Sequence, residues 1–352
     1  MPSGRLLRLA ALALAALSFV GRDASGMNVF ELRQPNGNVA QGPDDWQRSQ
    51  TTNYFDSTLV PQTAGSPEAL GQNLFESQAV SESGMSKDTL RSLMLPKVSF
   101  NSEWLTSSDF DLSRHDLRVT VPTFPFFGPP PPMISLGFAY TDLVDAGAFG
   151  LPGELFEYSV GLSWVRPIKE RWMVRSMFGV ALATDNKNTT SDAWQFRGGV
   201  FAVYEPNENW QWVFGAIAIG RNDLPVVPAV GVIWKPRPDL KIDLTFPKPR
   251  ISKLFAETES RQKWGYVGMA IGGGTWAYER VDQTNDQLTY GDWRVVAGWE
   301  SLPTPVAGAR FTMGRKLGLE IGYVFSRDLE FSSGAPDIPL SDAVTLGITT
   351  RF

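Results

Sequence analysis

From Leu95 to the last residue, Phe352, the chain alternates apolar and polar side chains in short runs, and a period of two belongs to β-strands. In 154–166 the even positions carry Phe156, Tyr158, Val160, Leu162 and Trp164, while Glu157, Ser159, Gly161 and Ser163 fill the odd ones. Ile134, Leu136, Phe138 and Tyr140 repeat the pattern, as do Leu240, Ile242, Leu244 and Phe246, and Leu317, Leu319, Ile321, Tyr323 and Phe325. Runs 97–105, 117–122, 171–183, 194–204 and 290–300 follow with a lapse or two. In 209–221, 227–234 and 264–276, Gly and Ala on both faces blur it.

Connections between the runs are of two kinds. Pro167–Glu170, Glu205–Glu208 and Lys235–Pro238 are tight, whereas Thr184–Ala193 and Glu279–Tyr290 are long and polar. Short and long connections in alternation predict an all-β, antiparallel up-and-down transmembrane β-barrel of about 12–14 strands. A soluble sandwich also alternates, but its outer face is rich in Lys, Glu and Thr. Here the polar face is Gly, Ser, Ala and Thr with isolated charges, and aromatic residues sit near both strand ends: Phe156 with Trp164, Trp194 with Tyr204, Trp293 with Trp299. That spacing predicts interfacial aromatic girdles. The final run, Val344, Leu346, Ile348, Thr350 and Phe352, ends on an aromatic residue. It resembles the signal by which outer-membrane barrels are recognised for assembly, with Thr350 a departure from the usual apolar residue.

The N-terminus predicts export. Arg5 and Arg8 precede the apolar stretch Leu9–Val20, and small residues follow through Gly26, the layout of a secretory signal peptide over 1–26. Removing that segment takes away Arg5, Arg8, Arg22 and Asp23, which moves the formal charge from -5 to -7. Residues 27–94 are polar with scattered apolar residues and predict a flexible extension, so the barrel domain is 95–352. No apolar run after the signal is long enough to cross a bilayer as a helix. The chain has no Cys and one His, which excludes disulfides, thiol catalysis and Cys-ligated metals. A pI near 5.2 argues against nucleic acid as a partner. No residue pattern calls for a cofactor. The expected partners are the lipids of the bacterial outer membrane and the barrel-assembly machinery.

Four segments carry a further likeness: Phe246-Pro247-Lys248-Pro249-Arg250, Gly272-Gly273-Gly274-Thr275-Trp276, Asp292-Trp293-Arg294, and Gly322-Tyr323-Val324-Phe325-Ser326-Arg327. Through them the chain resembles a family of bacterial outer-membrane β-barrels known only as a domain of unknown function. The resemblance spans 95–352 and implies a fold and a location. It implies no activity and no catalytic residues.

If the aromatic faces meet lipid, the lumen receives Arg171, Arg175, Arg197, Arg294, Asp292 and Glu320, with further charges that bring the inward count to nine basic and six acidic. One reading is a wetted pore for small anionic solutes; the other is a set of cross-strand ion pairs that stiffen a closed barrel. Arg171, Arg175 and Arg197 fall on neighbouring runs with no acidic residue in the same phase, which predicts weak anion selectivity if the barrel conducts. The rival class is a membrane-embedded lipid or lipopolysaccharide hydrolase using Ser113 and His115, two positions apart and so on one face of a strand. Gly272–Gly274 lacks the Gly-Lys-Ser/Thr of a phosphate loop and reads as a bend or a close approach. The Pro-rich segment 123–133 reads as an outer loop or inward-folded lid.

Overall fold

The alternating runs become hydrogen-bonded strands in a computed structural model that describes residues 96–352 apart from 125, 127–129, 170 and 305–314. The signal segment and the extension over 27–94 lie outside the described residues. The strands are β1 (Lys97–Thr106), β2 (Asp111–Pro122), β3 (Met133–Val144), β4 (Glu154–Lys169) and β5 (Trp172–Thr184). Next come β6 (Trp194–Asn207), β7 (Trp210–Ala218), β8 (Val226–Arg237), β9 (Leu240–Asp243) and β10 (Arg250–Glu257). The last five are β11 (Arg261–Glu279), β12 (Asn285–Pro303), β13 (Lys316–Phe331), β14 (Ile338–Leu340) and β15 (Ala343–Arg351).

Neighbours in sequence pair antiparallel from β1 through β13, and β15 pairs with both β13 and β1, which closes the ring. Of the fifteen strands, β14 pairs only with the end of β13, so the closed barrel has fourteen. Closure removes the sheet edges that would otherwise template aggregation.

Burial in this barrel is inverted relative to a water-soluble protein. Leu136, Val160 and Phe178 are 55%, 55% and 58% exposed on the outside, while Arg118, Arg175 and Arg294 are 2%, 1% and 0% exposed within. Charged side chains are almost never buried in water-soluble folds unless paired, and a broad apolar exterior is tolerated only against lipid. Among the described residues no helix is long and apolar enough to cross a membrane; the crossing elements are strands.

Aromatic residues mark both rims. At the end that carries Lys97 and Phe352, hereafter the terminal end, Trp172 stacks on Tyr204 at 4.7 Å and Trp210 on Trp234 at 5.3 Å. Trp194 is exposed at the opposite, distal end. The tight turns β4–β5, β6–β7 and β8–β9 all lie at the terminal end.

The Pro-rich segment lies there too, between β2 and β3. Thr123 N–H donates to Pro132 O at 2.8 Å and closes it, and Trp164 Nε1 donates to Pro130 O at 3.3 Å. The long connection expected over Glu279–Tyr290 is also shorter than its composition suggested, because β12 begins at Asn285. At the distal end Asp109 accepts the Ser341 N–H and Oγ–H, at 2.5 and 2.7 Å, which hold its carboxyl below the usual carboxylate range.

Candidate functional site: a filled, charge-paired lumen

On β2 the even residues Leu112, Arg114, Asp116, Arg118 and Thr120 point inward and are buried. On β4 the inward phase brings Glu157, and on β6 Gln195 and Arg197. Their carboxylate and guanidinium groups meet above the intervening strands. Glu157 Oε1 accepts from Arg197 Nη1 at 2.6 Å, and Oε2 accepts from Arg197 Nη2 at 3.0 Å and Arg114 Nη2 at 3.2 Å. A forked two-bond pair of this kind fixes orientation as well as charge. Gln195 Oε1 accepts from Arg197 Nη2 at 2.6 Å.

The opposite wall is built the same way. Arg294 Nε and Nη2 donate to Asp292 Oδ1 and Oδ2 at 2.5 and 2.7 Å, and its Nη1 pairs with Glu103. Thr345 Oγ1 donates to Glu103 at 2.8 Å. Glu320 accepts from Tyr266 Oη at 2.9 Å, and Glu300 from Arg250 Nη2 at 3.1 Å.

The two readings open from sequence, wet pore and stiffening ion pairs, both turn on how these charges are matched. Among the described residues nine buried side chains are basic and nine are acidic. Arg197 is neutralised by Glu157. Arg175 lies inward on β5, and Arg171 is exposed in the turn before it, where its carbonyl accepts Glu205 N–H at 2.9 Å. The positive excess that motivated anion selectivity is therefore absent from the buried set. The sequence count included Lys97, Arg171, Lys241 and Arg351, which are not buried, and omitted Arg114, Asp116, Asp185, Arg250, Asp286, Lys316 and Arg327, which are.

Two clusters of buried apolar residues line the lumen beside these charges. A distal cluster joins Leu105, Leu112, Leu143 and Leu155 on the wall to Trp276, Tyr278, Leu288 and Tyr290 of the β11–β12 hairpin. Met177, Phe201, Val213, Ile217 and Val227 form a second cluster on the inner face of β5–β8. Two of these strands, β7 and β8, are among those whose alternation was blurred in sequence, because they are apolar on both faces. Arg114, whose guanidinium lies 5.9 Å from the Trp276 ring centroid, joins the belt to the distal cluster. The sequence reading missed Arg114 as a lumen residue although its phase, two positions from Asp116, marks it.

Ser113 and His115 lie on the outward phase of β2. The hydroxyl bonded to His115 belongs to Ser102, 2.6 Å from Nδ1, and the ring lies between Trp104 and Tyr140. Ser102 is itself buried. The proposed Ser113–His115 dyad is thus not the hydrogen-bonded pair in the structure, since cross-strand register sets Ser102 directly opposite His115.

A family profile described as a domain of unknown function, DUF6268, matches residues 133–335. The chain belongs to this family. The match contains all four segments that carried the resemblance in sequence. No curated protein matches the sequence. Among solved structures, the NanC porin shares 7% identity over 72% of this chain and 98% of its own, with a TM-score of 0.33. The KdgM porin in complex with disordered oligogalacturonate gives 7%, 73% and 98%, and 0.30. The outer membrane protein Omp33 of Acinetobacter baumannii gives 11%, 73% and 96%, and 0.28.

Proposed function

We propose that this DUF6268 protein is a bacterial outer-membrane β-barrel of porin-like role and no catalytic activity, with its lumen closed in the conformation described. The observation that supports this most is the inverted burial: a lipid-compatible exterior around a belt of charges that would be needless in an apolar plug. Charges inside a barrel must pair or meet water, and a belt that pairs when closed can be wetted when open. A purely structural barrel is the second reading, favoured by the two buried apolar clusters on the lumen side.

Planar-bilayer recording separates them. The porin-like reading expects discrete conductance steps, and a folded, heat-modifiable protein that never conducts would leave the structural reading. Because buried bases and acids balance, reversal potentials in a salt gradient should show cation and anion permeabilities within about twofold of each other. A strong preference for anions would restore the expectation based on Arg175 and Arg197.

Phe352 is proposed as the assembly signal. Its backbone pairs with Val98, with N–H and C=O bonds of 2.8 and 3.2 Å, and the Arg315 guanidinium lies 5.1 Å from its ring centroid. Phe352→Ala should reduce the heat-modifiable outer-membrane form several-fold while the purified protein still refolds in detergent. Equal membrane yields for variant and parent would reject that role and, with it, recognition by the assembly machinery through this residue.

A further inference from the structure

Three adjacent strands break at one level. In β11 Gly273 has φ +114°, and a Cβ there would lie 1.9 Å from Tyr290 O, so only glycine fits. Its partner in β12 is Gly291, where the β12–β13 register slips before Trp293. In β13 the slip falls at Ser326, with φ 51°, and the inward phase changes from Val324 to Arg327 and Leu329.

Distal to this line, β11 is no longer flanked by β10. The ladder ends where Arg250 faces Gly268, with one further bond from Met269 N–H to Pro249 O at 3.0 Å. The free edge of β11 then crosses to the other side of the lumen. Ala277 bridges Thr184 of β5 in parallel, and Asp185 N–H donates to Ala277 O at 3.1 Å. Gln195 Nε2 donates to Thr275 O at 2.6 Å, Arg221 Nη1 to Gly272 O at 2.5 Å, and Asn188 Nδ2 to Tyr278 O at 3.3 Å. Residues 270–278 are buried on both faces, as an inserted segment must be.

We propose that the distal parts of β11, β12, β13 and β14 form a flap hinged along Gly273, Gly291 and Ser326, and that this flap is the plug of the lumen. The inference rests on the porin-like reading. A wall strand is held on both edges by continuous ladders, whereas this flap is held across the lumen by separate bonds, most of them from side chains, including Glu279 N–H to Asp185, Asn222 to Gln287 and Gln287 to Asp192 O. Release of those bonds frees the far edge while the β12–β13 ladder keeps the flap intact. Trp276 and Tyr278 would leave the distal cluster, uncovering the ion-paired belt beneath.

The chain has no cysteine, so a single disulfide can be introduced cleanly. Thr184→Cys with Ala277→Cys, at a bridged pair within disulfide reach, locks the flap to the opposite wall. A second variant deletes residues 276–288, with a two-residue turn in their place. Both are refolded as the full chain, checked for heat-modifiable migration, and recorded in planar bilayers. We expect the oxidised double variant to conduct several-fold less than the same protein after reduction, and the deletion variant to conduct several-fold more than the parent. A silent parent with a conducting deletion variant also supports the plug. Equal, non-zero conductance before and after reduction, or a folded deletion variant that conducts as the parent does, overturns the flap while leaving the porin-like reading intact. If no form conducts, the deletion variant included, both fall together.

Discussion

Glu157→Gln is expected to lower the unfolding free energy by about 3–5 kcal/mol, measured by urea titration of the barrel refolded in lipid vesicles. The carboxylate is the shared acceptor of Arg114 and Arg197, and all three side chains are buried. Its neutral isostere leaves two guanidinium groups in a confined lumen with no carboxylate between them. Breaking a buried pair costs more than the pair contributes, because the remaining charge keeps its desolvation penalty. Replacing Arg114 alone should cost less, since the forked Arg197 pair survives. A loss under about 1 kcal/mol for Glu157→Gln would mean that water reaches the triad and solvates the orphaned groups.

The second large effect is expected on the outside. Val160 is 55% exposed at the middle of β4, flanked in register by Leu136 and Val180. Val160→Arg should cost about 2–4 kcal/mol in the same vesicle assay, the depth-dependent cost of a cation facing lipid at the midplane. Were that surface wetted, the change would fall within about 0.5 kcal/mol, as surface substitutions generally do. The two substitutions thus probe opposite faces of one strand: a charge removed from within, and a charge added without.

Much of this fold can be read from alternation alone, because in a barrel wall the phase of a side chain decides whether it meets lipid or lumen. The strands 133–140, 154–164 and 317–323 needed nothing more. Phase fails where the backbone leaves the pleat. Leu240–Phe246 reads as one run, yet β9 stops at Asp243; Leu244 stays outside while Phe246 packs against the inner cluster. Likewise, 264–276 reads as a blurred strand because its distal half has no lipid face. The glycines that blur it are those of the bend, which sequence identifies as a bend or close approach but cannot aim. Pairing partners such as Arg114, Arg197 and Glu157, or Arg294 and Glu103, belong to strands that are not neighbours, and no local pattern encodes which of many charges will meet.

The seam between first and last strands sets a condition on biogenesis. β1 offers one edge to β2, but its other edge pairs with β15, from Ser99 opposite Arg351 to Thr106 opposite Val344. Those partners lie far along the sequence from β1. Pairings of such long sequence separation form late, and until they form the sheet keeps two open edges and an uncovered band of Trp and Phe. Closure of the cylinder is therefore a late step of folding. Loss of β15 would leave β1 and β13 without the strand that joins them, and the ring would stay open.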